Sequence, residues 1–136
     1  MHRVTSDLTQ SMPVQSDVRR LALSLPGAEE SSGDFSFFVR RGGKRKLFAW
    51  VWLQRHEPKA PRVPNPEVLG VRVDGLDAKE ALLASAPDRL FTEPHYDGYP
   101  AVLVRLTEVG LDELEDLLEA AWRCQAPRRL LEQRDR

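Results

Sequence analysis

Residues 35–54 read FSFFVRRGGKRKLFAWVWLQ, two apolar runs that meet at Gly42-Gly43. Paired glycines supply the positive φ values of a tight hairpin, so the pair predicts two antiparallel strands joined there. In the first run Phe35, Phe37 and Val39 alternate with Ser36, Phe38 and Arg40, the period-2 pattern of a strand with one mainly buried face. The return run over 46–53 is apolar on both faces, with Leu47, Ala49, Val51 and Leu53 on one and Phe48, Trp50 and Trp52 on the other. That pattern predicts a central strand covered on both sides.

On the N-terminal side, Ser16 reads as an N-cap for Val18, Leu21, Ala22 and Leu25 at helical spacing, and Pro26-Gly27 stops the run. Residues 1–15 show no periodic pattern and read as a flexible leader. On the C-terminal side, Pro58, Pro61, Pro64 and Pro66 make 54–67 an extended connecting loop. Leu69, Val71 and Val73 then mark a third strand over 68–74. Asp77 and Glu80 resemble a capping box with Leu76 as its staple, which predicts a helix over 78–86. Residues 90–96 and 99–106 flank Asp97-Gly98, the signal of a second hairpin, with Pro94 and Pro100 at strand ends or edges. Leu111, Leu114, Leu117, Leu118, Ala121, Trp122 and Gln125 form the apolar stripe of a long helix, and Pro127 opens a last short one. The expected order is α-β-β-β-α-β-β-α: one compact α+β domain over 16–136, with helices packed on an antiparallel sheet.

A chain of 136 residues builds one core of its own. Its single cysteine, Cys124, cannot form an internal bridge. No apolar run approaches a membrane span and no cleavable leader is visible, so a soluble, cytoplasmic protein with no membrane partner is expected. The net charge of −1 argues against a uniformly basic nucleic-acid binder, but it is a cancellation. Residues 40–72 hold nine basic side chains against two acidic, while 73–122 hold three against twelve.

Motifs for chemistry are sparse. Gly42-Gly43-Lys44 fails as a nucleotide loop, because Phe38 replaces its first glycine, Arg45 replaces the magnesium-binding hydroxyl, and the segment joins two strands. His2, His56, His95 and Cys124 lack metal-ligand spacing, and no serine elbow is present, so neither metal nor cofactor is expected and no enzyme is predicted. His95 beside Tyr96 and Asp97 has the residue types for acid–base transfer, but a histidine fixing a turn through backbone hydrogen bonds is the plainer expectation. Arg40, Arg41, Lys44, Arg45 and Lys46 are the strongest local signal: five cations around a glycine tip where phosphate can approach closely. Arg128 and Arg129 offer a second basic patch. Phe48, Trp50 and Trp52 form either a stacking platform or, more simply, core.

Several short motifs in order carry a family likeness: Leu25-Pro26-Gly27 with Glu29-Glu30-Ser31, Gly42-Gly43-Lys44 leading to Phe48-Ala49-Trp50, Pro94-His95-Tyr96, and Ala126-Pro127-Arg128-Arg129-Leu130. Over about residues 16–132 the chain resembles the MmcQ/YjbR family. The resemblance implies a compact CyaY-like or secretion-chaperone-like fold, a double-wing arrangement associated with DNA binding, and no catalytic residues to carry over. His95 matches the family's histidine. Ala101 stands where members often carry Trp, and Ala121-Trp122 where they carry Ser-Tyr. The expected function is therefore weak, non-specific, non-enzymatic nucleic-acid binding through the basic hairpin. The alternative is a protein- or peptide-binding adaptor.

Overall fold

In the computed structural model, described over residues 13–136, the chain folds in the order α1 (Gln15–Leu23), β1 (Glu29–Glu30), β2 (Ser36–Arg41), β3 (Lys44–Gln54), β4 (Val63–Arg72), α2 (Leu76–Ser85), β5 (Leu90–Phe91), a 3-10 turn (Pro94–Tyr96), β6 (Ala101–Arg105), α3 (Leu111–Gln125) and α4 (Arg128–Arg134). The strands make one antiparallel sheet in the order β1-β2-β3-β4-β6-β5. The α+β order matches the sequence reading, with the two-residue β1 added at one edge. Most of the expected leader, residues 1–12, lies outside the described residues, and α1 already begins at Gln15. Val14, not Ser16, occupies the cap, and its backbone N–H donates to the Asp17 carboxylate at 2.9 Å.

One face of the sheet carries the main core. Phe37, Val39, Phe48, Ala49, Leu69, Val71, Val102 and Val104 meet Val18 and Ala22 of α1 and Leu114, Leu118, Ala121 and Trp122 of α3. Trp122 is fully buried, and its indole N–H donates to the Pro26 carbonyl at 2.9 Å, which ties α3 to the end of α1. The stripe expected for α3 is buried from Leu114 to Gln125, with Leu111 partly buried at its start. At the hairpin tip Gly42 and Gly43 have φ of 61° and 78°, the left-handed backbone the turn requires.

Four local expectations are corrected. The register of β2 on β3 slips at Phe37/Phe38, so Phe37 faces Ala49, Phe38 faces Leu47, and Phe48 is the extra residue of a bulge. Phe48 and Ala49 therefore both enter the main core, while Leu47 and Leu53 are left exposed. Strand β4 starts at Val63 and includes Pro64 and Pro66. Its first residues pair with β3 alone, since β6 joins only from Val68, and a missing proline donor costs little on that local edge. Helix α2 starts at Leu76 behind Gly75 with no side-chain cap, and Leu76 is exposed, so no capping box or staple forms. Finally, β5 and β6 pair only at Leu90 and Phe91, and a loop over 92–100 replaces the expected two-residue turn. Pro94 and Pro100 cannot donate to a ladder across that stretch. No helix of the described residues is long and apolar enough to cross a membrane.

Candidate functional site: an open aromatic sheet face

The second face of the sheet is built differently. Its cluster consists of Val68, Tyr96, Ala101 and Leu103, with Trp50, Trp52 and Phe91 partly buried against it, and none of the α-helices contributes a residue to it. The expected full cover of β3 is thus absent on this side. Trp50 and Trp52 form a half-open aromatic surface, while Phe48, grouped with them by spacing, belongs to the opposite core.

Trp50 faces Gly70 across β3 and β4, and a Cβ on Gly70 would collide with the indole nitrogen. The ring thus lies close over bare backbone. Its N–H donates to the Tyr96 hydroxyl at 2.8 Å. The Trp52 N–H donates to Glu93 Oε2 at 3.0 Å, while the His95 backbone N–H donates to Glu93 Oε1 at 3.1 Å. Burial pushes the Glu93 carboxyl up, but those two donors and the Arg62 charge outweigh it and hold Glu93 below the usual carboxylate range.

The loop carrying Tyr96 and Tyr99 is fastened from beneath by Lys79 of α2. Its side chain is buried, and its ammonium donates to the carbonyls of Tyr96 at 2.6 Å and Tyr99 at 2.8 Å. Burial lowers the Lys79 pKa, against the opposing charge of Asp97. Leu47, Trp50, His95, Tyr96 and Tyr99 then wall a groove of about 390 Å³. A second hollow of about 500 Å³ continues past Trp50 and His95 toward Asp34, Leu53 and Arg62.

Four arginines cross this face, each over a ring. The guanidinium carbons of Arg40 and Arg45 stand 5.4 and 4.7 Å from the Phe38 centroid. Arg72 stands 5.6 Å from Tyr99 and Arg105 4.1 Å from Phe91. The expected hairpin patch is therefore divided. Arg40 and Arg45 share the open face, whereas Arg41, which donates to the Cys124 carbonyl at 3.4 Å, lies on the helix side with its register partner Lys44. Lys46 pairs with Val39 and takes the same side. Arg40 is already engaged by Glu29 at 3.0 Å, and Arg128 by Glu132 at 3.1 Å. Arg129 is exposed at the start of α4, on the helix side.

The expected role of His95 as the turn's fastener is also corrected: its backbone N–H caps onto Glu93 while its ring is exposed on the groove wall, and Lys79 and Glu93 do the fastening. Among the described residues, no group of three His, Cys, Asp or Glu side chains is placed to hold a metal ion. Burial raises the Cys124 pKa, which makes its thiol less reactive. Arg72, Arg105 and Lys79 are site residues that motif reading missed. Strand parity could have found the arginines, since Arg72 alternates with Val71 and Arg105 with Val104 onto the face of Gly70 and Leu103.

These features define a small α+β domain with helices on one sheet face and an open, aromatic, arginine-bearing surface on the other. The chain belongs to the YjbR family, whose model matches residues 23–124. It is 41% identical over 128 residues to the uncharacterized protein Rv2570 of Mycobacterium tuberculosis and to the uncharacterized protein Mb2600 of Mycobacterium bovis, covering 89% of this chain and 95% of each relative. Its fold is similar to the crystal structure of the Deinococcus radiodurans protein DR2400, with its DUF419 domain, at a TM-score of 0.59 and 22% identity. That match covers 82% of this chain and 77% of the other.

Proposed function

We propose that this protein binds nucleic acid without catalysing a reaction, and that the open sheet face is the binding surface. The carrying observation is the set of Arg40, Arg45, Arg72 and Arg105, spread over four strands and each placed over an aromatic ring of that face. Guanidinium groups supply phosphate contacts and partly exposed aromatics supply stacking, the combination that sequence-tolerant nucleic-acid surfaces use. Arg45, Arg72 and Arg105 form no ion pair among the described residues, so their charge is free for phosphate. Arg41, Lys44, Lys46, Arg128 and Arg129 are secondary contacts in this reading, because they lie on the helix side. In support of a binding role, Glu93, an acid two residues from His95, has both oxygens already serving Trp52 and the His95 backbone.

Fluorescence anisotropy of a labelled oligonucleotide at two salt concentrations tests the reading. Each phosphate contact should add about −0.9 to the log–log salt slope on duplex, or about −0.7 on a single strand. Arg45→Ala with Arg105→Ala should weaken binding and flatten that slope. Equal binding by this double variant, or no binding at about 50 mM salt where phosphate contacts are strong, would overturn it. The adaptor reading has an observation of its own, the exposed Leu47 and Tyr99 along the groove and the exposed Leu53 in the hollow that continues it. A peptide that competes for the groove while no oligonucleotide binds would favour it.

A further inference from the structure

The groove lined by Trp50 and Tyr99, whose ring centroids stand 6.4 Å apart at 48° to each other, offers a flat ring one aromatic face and the edge of a second. It holds about 390 Å³, toward the small end of the roughly 300–1,000 Å³ typical of small-ligand sites. Its walls are mainly apolar: the Leu47 side chain, the Trp50 indole and the Tyr99 ring, with the exposed His95 on the rim. Tyr96, nearly buried, lines it as well, its ring ending in a hydroxyl oxygen beside the Trp50 indole nitrogen. That oxygen accepts the Trp50 indole proton, and among the described residues it donates to nothing. A hydroxyl carries one donor of its own, so Tyr96 has a proton for an acceptor that the fold does not supply.

The walls are also held in advance. Gly70 gives Trp50 its seat, Tyr96 fixes the indole edge, and Lys79 holds the carbonyls of Tyr96 and Tyr99. Arginines stand on both flanks. Arg45 lies over Phe38, the register partner of Leu47, and Arg72 lies over Tyr99. Neither forms an ion pair among the described residues. The chemistry called for is a planar ring with a hydrogen-bond acceptor on its edge and anionic groups on either side.

We propose that this groove receives a single unpaired nucleobase, stacked on the exposed Tyr99 ring with Trp50 at its edge and accepting a hydrogen bond from Tyr96, with the flanking phosphates on Arg45 and Arg72. The assignment rests on the nucleic-acid reading above and makes the preferred ligand single-stranded. Bases in a duplex have their faces stacked and their pairing edges engaged, and entering the groove would first cost unpairing.

The test uses the full chain and a labelled 12-nucleotide single strand of mixed sequence beside its blunt duplex, at about 50 mM salt. The single strand should bind more tightly by a factor of about ten, and Tyr99→Ala should remove most of that preference, since one stacked base accounts for about five- to 150-fold in affinity. Tyr99 is exposed at the surface of the loop, so this variant should leave the fold in place, as a melting curve would verify. Tyr96→Phe keeps the ring and should weaken the single strand while leaving the duplex unchanged. Equal affinity for both forms, unaltered by Tyr99→Ala, would overturn the base pocket and leave the nucleic-acid reading standing. Absence of binding to either form would overturn both.

Discussion

Trp50 and Gly70 occupy directly paired positions on β3 and β4, and the Trp50 indole lies so close to Gly70 that no side chain fits between them. The glycine is required here by contact rather than by conformation, because its φ is not positive. Gly70→Ala should push the indole out and break its hydrogen bond to Tyr96. The expected cost is that of overpacking, about 1–3 kcal/mol. Urea unfolding gives the stability change, and tryptophan emission in the native state reports the displaced ring. A variant with native stability and unchanged emission would show that Trp50 does not rest on this backbone.

Lys79 is the second member of the same support. Lys79→Met keeps the aliphatic stem in place and removes the ammonium that holds the carbonyls of Tyr96 and Tyr99. Charged hydrogen bonds of this kind contribute about 1.5–3 kcal/mol each, partly offset here because the buried charge no longer has to be desolvated. The net effect should be a loss of roughly 1–3 kcal/mol and faster amide exchange in residues 96–101, with exchange in α3 following only the global change. Uniform acceleration across the whole chain would contradict a local fastening role.

How far these features could be read from sequence depends on what kind of interaction makes them. The α3 stripe from Leu111 to Gln125 was legible because helical periodicity alone sets which side chains face the sheet. Gly42-Gly43 was legible because the turn needs positive φ at both positions. The two faces of β3 were not, because the bulge at Phe48 shifts the parity halfway along the strand, and a bulge leaves no period of its own. The 92–100 loop was misread for a related reason: Asp97-Gly98 is a strong local signal, but Pro94, Pro100 and the distant Lys79 override it. The basic hairpin was legible as a run of charge. Its division between two faces follows from strand alternation, yet its pairing with Glu29 spans eleven residues and needed the fold.

Acid should act on this site through Glu93. Its folded pKa lies below the ordinary value near 4.5, so below that pH the unfolded chain binds more protons than the folded one. The stabilisation is fully present above about pH 4.5 and is lost as the pH falls through the depressed value. Glu119, held low first by Arg134, acts in the same window from the α3–α4 side, and Asp135, held low first by Arg123, in one that opens only below its ordinary value near 3.8. Comparing Glu93→Gln with the parent separates the contributions, because the glutamine keeps an acceptor for Trp52 and cannot titrate. Stability measured by urea unfolding from pH 6 down to about pH 3.5 should fall less steeply in the variant. Parallel curves would mean that Glu93 does not feel the donors around it.

Arg40 supplies a prediction with the opposite sign from the usual charge removal. Among the described residues it is the one open-face arginine over a ring that is held by a carboxylate, through Nε to Glu29 at 3.0 Å, with both side chains about half exposed. An exposed pair of this kind contributes about 0–1 kcal/mol, so Glu29→Gln should leave the melting temperature almost unchanged. It should free the guanidinium for phosphate, tightening oligonucleotide binding and steepening the log–log salt slope by up to about 0.9. Glu119→Gln provides the matched control. It releases Arg134 by the same chemistry but on the helix side of the sheet, while Arg123 keeps its pair with Asp135. If the open face is the binding surface, only the first variant strengthens binding. Equal gains from both would mean that the added charge acts through the overall field of the protein, and the assignment of the ligand to the aromatic face would then fail.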